Sequence, residues 1–593
     1  MFSRRHATVW AIAAASVPAL IAPAFAAGPL QIVYPPTVYE TTAESIFVIG
    51  SAAGAVTVNG KPVETSPNGN FGPSLPLVPG ENVFTFRAGD RSIIIRVMRR
   101  AGEPAPPRGA SFGAGSLLPA TDLARQPNEM ICLEAIAPPG AKVTASLAGK
   151  TVTLAPAQAM DLPDNKAALT AKNQPTQGRA LRYQGCLRLA APGKYGKPVY
   201  RVEAGGATAS ATAAGNVEIL DPNRYIAALV LSEAGVARTG PSTDFSRLTP
   251  LPRGTQALVT GREGSWLRLG YGGWLDGQEA RLVDVPAPPS SIIRSIGAKR
   301  VGGWTEVSFP LQAAVPVAVA EGDGQFTLSL FGTTAQTDII HVDRDPLIDW
   351  LAWTQVAPDR IDYTFHLKRP HPWGYKLAYD GTTLKLALRH PPTPPAAGRP
   401  PLDGIRIVLD PGHGGPEDPG TSGPTGIHEK DVSLIVSRHV RDRLRQLGAD
   451  VVMTREQDLD VGLKERQEII TKSEPTLSVS LHYNALPDNG DVLHTQGVGG
   501  FWYHPQAQPL AAFMQRWLVE KLGRPSYGLF WDNLALTRPA VAPSVLMELA
   551  FLTNPYEVEW AGDPGQQQKL GVAIADGLAA YCQQGMKEPV DVR

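Results

Sequence analysis

The hydrophobic pattern of this chain changes at the proline-rich segment PPTPPAAGRP, residues 391–400. Before this segment, short alternating runs of apolar and polar residues are separated by turns that contain Gly or Pro, which is typical of antiparallel β modules. After it, short apolar runs alternate with stretches of helical periodicity, which indicates an α/β domain with a largely parallel sheet. A single core rarely grows beyond about 250–300 residues, so we expect this chain of 593 residues to be multidomain.

Several all-β modules are predicted before the α/β domain. Residues 28–100 and 127–220 are expected to form two β-sandwich modules, because runs such as GAVTVNGKPV and GAKVTASLAGKTVTL alternate around tight turns. The other predicted units are a linker at 101–126, β modules at 224–285 and 290–390, a Pro-rich linker at 391–403 and the α/β domain at 404–585.

The first 26 residues have the features of a secretory signal peptide. Arg4 and Arg5 form a basic start, an apolar stretch follows from about Val9 to Ile21, and small residues precede a predicted cleavage site after Ala26. The paired arginines leave both the general secretory route and the twin-arginine route open. No later stretch is apolar enough to cross a bilayer. We therefore expect a mature chain without a transmembrane segment, exported to the periplasm or, alternatively, to the extracellular side of the cell wall.

The three cysteines of the chain fall into two groups. Cys132 and Cys186 lie in the same predicted β module, and export permits disulfide formation. We expect a disulfide between them rather than two buried thiols. Cys582 lies on the apolar face of a predicted C-terminal helix and is expected to pack in the core.

The charge composition argues against nucleic acid as a partner. Lys plus Arg and Asp plus Glu are equal, at 55 residues each. The sequence contains no basic block that could follow a phosphate backbone. We therefore expect no nucleic-acid partner.

Four residues of the α/β domain are expected to meet at one edge of its sheet. His413 follows the strand IRIVLD, Glu429 begins the helix EKDVSLIVSRHVRDRLRQL, His482 ends the strand SVSLH, and Glu548 lies near the end of the apolar run SVLMEL. Ligands of such sheets bind at the carboxyl ends of strands. Each residue alone has a structural explanation: a loop histidine, a helix-capping acid, a strand-end histidine and a buried salt bridge. Together, two imidazoles and one carboxylate can hold zinc and leave a coordination position open, with a second glutamate nearby.

These motifs carry a resemblance to a known family. Residues 404–585 resemble the zinc-dependent N-acetylmuramoyl-L-alanine amidases of bacterial cell walls, through LDPGHGG, GIHEKDVSL, SLHYN and PSVLMELAFLTNP. The resemblance implies hydrolysis of the amide between N-acetylmuramic acid and L-alanine in peptidoglycan, with Zn²⁺ as the cofactor. Carried over position by position, it implies the metal ligands His413, Glu429 and His482 and the catalytic residues Glu548, as acid/base, and Arg538, whose role it leaves open.

The β modules resemble domains that accompany cell-wall enzymes. The modules at 28–100 and 127–220 resemble bacterial immunoglobulin-like domains, residues 224–285 resemble a bacterial SH3-like domain, and residues 290–390 are similar to the AMIN domain. The resemblances of residues 224–285 and 290–390 imply that these two modules target the enzyme to the wall, whereas the immunoglobulin-like fold does not indicate a ligand. Peptidoglycan is the expected ligand of the β modules. Together with an amidase they suggest a role in wall remodelling or daughter-cell separation.

Two alternative functions remain open from the sequence. One is a zinc peptidase that cleaves another amide of the muropeptide, and the other is a wall-binding scaffold with an inactive amidase-like domain. We also expect that no activator protein is required, because the segment after His482, ALPDNGDVLHTQGVGGFWYH, is too short for the blocking helix of some family members. Tyr483 stands where the family often has a small residue and is expected to narrow the entrance to the site.

Overall fold

The computed structural model describes residues 28–100, 107–161, 176–342 and 344–587. The predicted signal peptide, residues 1–26, lies outside the described residues. The expected fold class is confirmed, since many β-sheets precede a C-terminal α/β domain with a mostly parallel sheet. Within the described ranges, no helix has both the length and the apolar character needed to cross a membrane.

The first β module, residues 28–100, consists of short strands around one apolar core. Its strands are β1 (Gln31–Tyr34), β2 (Val38–Thr41), β3 (Ser45–Phe47), β4 (Ile49–Ser51), β5 (Val56–Val58), β6 (Lys61–Val63), β7 (Asn70–Phe71), β8 (Ser74–Pro76), β9 (Gly80–Ala88) and β10 (Arg91–Arg99). Buried and exposed residues alternate along β9, as expected for a strand with one face on a core. Phe71, Phe86 and Val97 lie at the centre of this core.

The next part of the chain contains the predicted disulfide. Its strands are β11 (Leu123–Arg125), β12 (Met130–Ile136), β13 (Lys142–Leu147), β14 (Lys150–Asp161), β15 (Thr176–Arg188), β16 (Gly193–Gly196), β17 (Val199–Ala204), β18 (Ala207–Thr212) and β19 (Val217–Ile219). Cys132 and Cys186 are directly opposite each other on β12 and β15 and are bonded. The expected disulfide is therefore confirmed.

A third group of strands continues the sheet of the second. It comprises β20 (Tyr225–Val230), β21 (Ala234–Gly235), β22 (Leu251–Pro252), β23 (Gln256–Glu263), β24 (Trp266–Leu269), β25 (Trp274–Asp276) and β26 (Ala280–Val285), with a 3₁₀ turn at Gly277–Glu279. Strand β11 pairs with β19 on one side and with β23 on the other. The segment that carries β11 falls in the predicted linker at 101–126, and it joins the two groups through backbone hydrogen bonds.

The fourth group forms two sheets around an aromatic core. Its strands are β27 (Ser291–Val301), β28 (Trp304–Pro310), β29 (Val317–Gly322), β30 (Gln325–Phe331), β31 (Thr333–His341), β32 (Ile348–Ala357), β33 (Arg360–Leu367), β34 (Tyr375–Asp380) and β35 (Thr383–Arg389). Phe309, Phe326 and Tyr363 are fully buried between the sheets. Trp373, just before β34, donates its indole N–H to the carbonyl of Thr476, so this unit contacts the α/β domain.

The α/β domain has a six-stranded sheet in the order β37-β36-β38-β41-β39-β40. The strands are β36 (Arg406–Pro411), β37 (Asp450–Met453), β38 (Leu477–Asn484), β39 (Val498–Trp502), β40 (Ser526–Trp531) and β41 (Ser544–Phe551). The helices are α1 (Glu429–Gln446), α2 (Leu463–Ser473), α3 (Gln508–Leu522), α4 (Glu557–Gly562) and α5 (Pro564–Lys587), with 3₁₀ turns at Pro505–Ala507 and Ala535–Thr537. Neighbouring strands are parallel except that β39 is antiparallel to β41.

Two faces of the sheet are covered by different helices. Residues of α1, α3 and α5 share one apolar cluster with alternate residues of β36, β38 and β41. Ile470 of α2 packs on Val408 at the opposite face. Cys582 is buried in the larger cluster, as expected. Because β36, β38 and β41 are parallel, their carboxyl ends lie at the same edge, where the candidate site is found.

Candidate metal centre

The turn after β36 places the first histidine. His413 adopts φ +57°, a left-handed conformation that few residues other than glycine adopt. Its neighbour Gly412 lies against the ring of His482, and a Cβ at Gly412 would come within 2.5 Å of that ring. The glycine before His413 is therefore needed to let the two imidazoles approach each other.

Three predicted ligands come together at this edge. Nε2 of His413 lies 3.2 Å from Oε2 of Glu429, and Nδ1 of His482 lies 2.9 Å from Oε1 of Glu429. One potential ligand atom from each residue lies within 4.8 Å of the others. The side chain of Glu429 is 4% exposed and that of His413 is 26% exposed, so the group has a buried side and an open side. This arrangement can hold a single cation and leave it accessible from solvent.

Neighbouring groups orient the ligands. Nδ1 of His413 lies 2.6 Å from Oδ1 of Asp418, which leaves Nε2 of His413 facing the centre. The backbone N–H groups of Thr421 and Tyr483 each donate to one oxygen of Glu429, both at 3.0 Å. A carboxylate on the second nitrogen of a ligand histidine is the usual way in which proteins fix the tautomer at a metal site.

The electrostatics of the three ligands favour a positive charge between them. Burial alone would raise the pKa of Glu429, but the hydrogen bonds and charges of His413 and His482 outweigh burial and hold the pKa well below its usual range. Burial opposes protonation of His413, yet Glu429 and Asp418 raise its pKa to about 9. The carboxylates thus create a site that attracts a cation.

Glu548 lies beside the ligands. It is opposite His482 in the pairing of β38 with β41, and opposite Gly499 in the pairing of β41 with β39. Its Oε2 atom is buried and has no hydrogen-bond partner among the described residues. Burial, and then the nearby charge of Glu429, raise the pKa of Glu548 well above its usual range. A carboxyl group in this position can take up and release a proton next to the three candidate ligands.

A buried ion pair stabilises the turn after β36 that carries His413. Nη1 of Arg466 lies 2.8 Å from Oδ1 of Asp410, and both side chains are at most 3% exposed. Arg466 also donates to the carbonyls of Pro411 and His413, and Arg455 donates to those of Pro411 and Gly412. These two arginines fix the backbone that carries His413.

The charge of Asp410 is stabilised despite its burial. Burial would raise the pKa of this carboxyl group, but the charges of Arg466 and His482, together with hydroxyl donors from Ser480 and Thr454, lower its pKa below the usual range. Local sequence patterns did not reveal the roles of Asp410, Arg455, Arg466 and Asp418. A charged residue at the end of the apolar run IRIVLD was the one available signal.

The structure does not bring Arg538 together with the other predicted site residues. Arg538 precedes β41, whereas Glu548 lies toward its carboxyl end. Its guanidinium donates to the side-chain and backbone oxygens of Asn533. It lines a cavity of about 490 Å³ together with Arg247, Tyr375 and Trp531. Burial, and then the charge of Arg247, lower the pKa of Arg538 to about 10.

Two other residues near the ligands have structural roles. Tyr483 is 1% exposed and belongs to the core of the α/β domain, so the expectation that it narrows the entrance is wrong. His428 precedes the first turn of α1, and its Nδ1 lies 2.9 Å from the hydroxyl of Ser422. Its imidazole therefore joins the loop before α1 to the start of that helix.

Comparison with known proteins identifies the α/β domain. A sequence profile described as N-acetylmuramoyl-L-alanine amidase matches residues 407–580. The germination-specific N-acetylmuramoyl-L-alanine amidase of Bacillus subtilis is 34% identical over 200 residues, which are 30% of this chain and 81% of that protein. Staphylococcus aureus "Probable cell wall amidase LytH" is 34% identical over 183 residues, 30% of this chain and 60% of that protein.

A solved structure of similar sequence is also known. The catalytic domain of the amidase CwlV from Bacillus (Paenibacillus) polymyxa var. colistinus is 26% identical, with a TM-score of 0.29 over 30% of this chain and 98% of that domain. Identity to the germination-specific amidase over most of that protein's length is sufficient to assign the family. The chain belongs to the N-acetylmuramoyl-L-alanine amidase family and is an enzyme of that class.

Proposed function

We propose that this protein is a zinc-dependent peptidoglycan hydrolase that cleaves the amide between N-acetylmuramic acid and the L-alanine of the stem peptide. The observation that carries the proposal is the convergence of His413, Glu429 and His482 within 4.8 Å. Beside them lies Oε2 of Glu548, which has no hydrogen-bond partner in the part of the chain that the structure describes. The names of the similar proteins, which include amidases of the cell wall, support peptidoglycan as the substrate.

The donor set fits zinc better than a hard divalent cation. Two imidazole nitrogens and one carboxylate are a common catalytic zinc set, whereas Mg²⁺ and Ca²⁺ are bound mainly through oxygen. The contact of Asp418 with His413 and the backbone donors to Glu429 hold the ligands in place for this role. Bound zinc would polarise the carbonyl of the amide to be cleaved and would lower the pKa of a water molecule at the site.

Glu548 is proposed as the general acid and base. Its carboxylate accepts a proton from the attacking water, and the protonated carboxyl group returns it to the amine nitrogen as the carbon–nitrogen bond breaks. The raised pKa of Glu548 favours holding this proton between the two steps. The products are a free stem peptide that begins with L-alanine and an intact glycan chain.

Arg538 is not part of the proposed chemistry. It contacts Asn533 and faces the cavity that it shares with Arg247. We propose that it fixes the segment before β41 and the junction with the β modules.

The β modules are proposed to bind the cell wall. The proposed units are β-sandwich modules at 28–100 and 127–220, a bacterial SH3-like domain at 224–285, an AMIN-like domain at 290–390 and the amidase domain at 404–585. In this proposal the enzyme is exported, most simply to the periplasm, and remodels the wall or separates daughter cells. The partly exposed side chain of His413 supports a site that works without a separate activator protein.

Product analysis tests the function directly. The purified full-length chain with Zn²⁺ is expected to release stem peptides with a free L-alanine amino terminus from wall sacculi, as measured by mass spectrometry. His482→Ala should release none, because one of three metal ligands is lost. Shortened stem peptides would favour the alternative of a zinc peptidase, and the absence of any product would favour an inactive wall-binding scaffold.

Asp418 is expected to contribute to metal affinity through its contact with His413. Asp418→Ala is expected to weaken Zn²⁺ affinity about 10- to 100-fold, because second partners of ligand histidines contribute in this range. Isothermal titration with Zn²⁺ measures the change. Glu417→Ala is the matched control, since this adjacent acid is also exposed but does not contact His413. Equal affinities for the two variants would contradict the role of Asp418.

A further inference from the structure

One loop of the amidase domain joins the strands that carry the site. This segment, residues 485–497, is called the rim loop. It begins directly after β38, which carries His482, and ends directly before β39, whose Gly499 is opposite Glu548 in the sheet. A change in the position of the rim loop therefore acts both on the strand that carries His482 and on the strand beside Glu548.

Two different parts of the protein hold the rim loop. Asn554, which follows β41, donates to the carbonyls of Leu493 and Thr495 in the second half. The first half instead contacts the first β module, which lies more than 400 positions earlier in the sequence. Backbone hydrogen bonding shows this directly, since the N–H of Phe47 donates to the carbonyl of Asp488 at 2.9 Å.

The side chain of Asp488 is the centre of this contact. Its Oδ1 accepts a hydrogen bond from the hydroxyl of Tyr34, and its Oδ2 accepts one from the hydroxyl of Thr41 at 2.6 Å. The hydroxyl of Tyr39 lies 3.3 Å from Oδ1. Three hydroxyl donors on one carboxylate form a specific socket rather than an incidental surface contact.

Apolar packing surrounds this socket. Phe47, Ile49 and Val492 form a separate buried cluster between the first β module and the rim loop, and none of the three is more than 3% exposed. The backbone of the module comes so close that a Cβ at Gly72 would lie 2.7 Å from Val492. The rim loop is thus packed and hydrogen-bonded to the module at the same place.

The module also contacts other segments near the site. Nε2 of Gln31 lies 3.3 Å from the carbonyl of Pro424, in the segment that leads to Glu429. Glu559 of α4 accepts hydrogen bonds from Ser66, Asn68 and Asn70. The side chain of His413 nevertheless keeps 26% of its surface exposed, so the docked module does not cover the metal ligands.

We propose that the first β module positions the rim loop for catalysis, and that Asp488 is the positioning residue through which it acts. This inference rests on the proposed function. A loop of this length without its own helix or strand has many accessible conformations, and fixing it costs conformational entropy. The module fixes the start of the rim loop in advance, so the segment between β38 and β39 is in place before the glycan binds.

The test compares two variants of the full-length chain loaded with Zn²⁺. Asp488→Ala removes the hydroxyl contacts to the rim loop, whereas Glu559→Ala removes hydrogen bonds from the same module to α4 and leaves the rim loop contacts unchanged. We expect Asp488→Ala to raise KM for soluble wall fragments about 10-fold or more, because misplacement by about 1 Å is costly to an oriented substrate. Zinc content and Tm should match those of Glu559→Ala. Asp488→Asn should restore most of the loss, because an amide can accept from Tyr34 and donate to Thr41.

Each result decides between positioning and simple stabilisation. A rise in KM that is specific to Asp488→Ala supports the proposal. An unchanged KM, or equal changes in both alanine variants, would overturn it, since loss of folded protein lowers the rate without changing KM. Inactivity of the wild-type chain on the same fragments would instead overturn the proposed function, and this inference with it.

Discussion

Replacement of Glu548 by glutamine is expected to lower kcat about 10²- to 10⁴-fold, the usual contribution of a general acid or base. Glutamine keeps the volume of the side chain but cannot accept and return a proton. Zn²⁺ content should stay unchanged, because the three proposed ligands are His413, Glu429 and His482. Release of stem peptides from wall sacculi, together with metal analysis of the purified variant, measures both quantities.

The control for this variant is Glu520→Gln. Glu520 is exposed on α3 in the same domain and contacts none of the three ligands. Its substitution should leave kcat within about twofold of wild type, since surface changes away from special features have small effects. If Glu548→Gln kept most of the wild-type kcat, another group would have to transfer the proton and the assignment of Glu548 would fail.

Replacement of Arg466 by methionine is expected to lower the free energy of unfolding of the α/β domain by about 3–5 kcal/mol, because it leaves Asp410 charged, buried and unpaired. The same change removes the donors to the carbonyls of Pro411 and His413. Zinc affinity should therefore fall as well. Denaturant unfolding of the full-length chain, followed by the signal of this domain, measures the stability change.

A surface ion pair on the same helix provides the comparison. Lys472 and Glu468 are 2.9 Å apart on α2, with side chains 75% and 48% exposed. Lys472→Met should change the free energy of unfolding by at most about 1 kcal/mol, as is usual for exposed pairs. Similar losses for the two variants would show that the buried pair has no special role. Because the pKa of Asp410 is lowered in the folded state, its contribution is present at neutral pH and is lost as the pH falls below the usual range of a carboxyl group.

Sequence patterns predicted most of the α/β domain. The periodicity of residues 429–447 predicted a helix that the structure places at Glu429–Gln446. Alternation of strands and helices predicted a parallel sheet. Three of the four residues that meet at its edge were predicted from their positions at the ends of strands. These predictions succeed because they depend on local periodicity and on a general property of parallel sheets.

Contacts between distant parts of the chain could not be predicted in this way. Asp418 is one of two adjacent acids in its loop, and its contact with His413 becomes evident from the left-handed turn at that residue. The pairing of Arg466 with Asp410 joins residues 56 positions apart, and the contact of Tyr34 with Asp488 joins residues 454 positions apart. Local patterns contain no information on such pairings, which depend on tertiary packing. Arg538 was included on family position alone, and the structure places it apart from the ligands.

The pairing of strand β11 restricts how the β modules could bind to the cell wall. It is hydrogen-bonded to β19 and to β23, so the units at 127–220 and 224–285 share one continuous sheet. Rotation of one unit against the other would break these backbone bonds. Two attachment points on these units would therefore keep a constant angle and spacing, and avidity would depend on the repeat distance of the polymer rather than on tether flexibility.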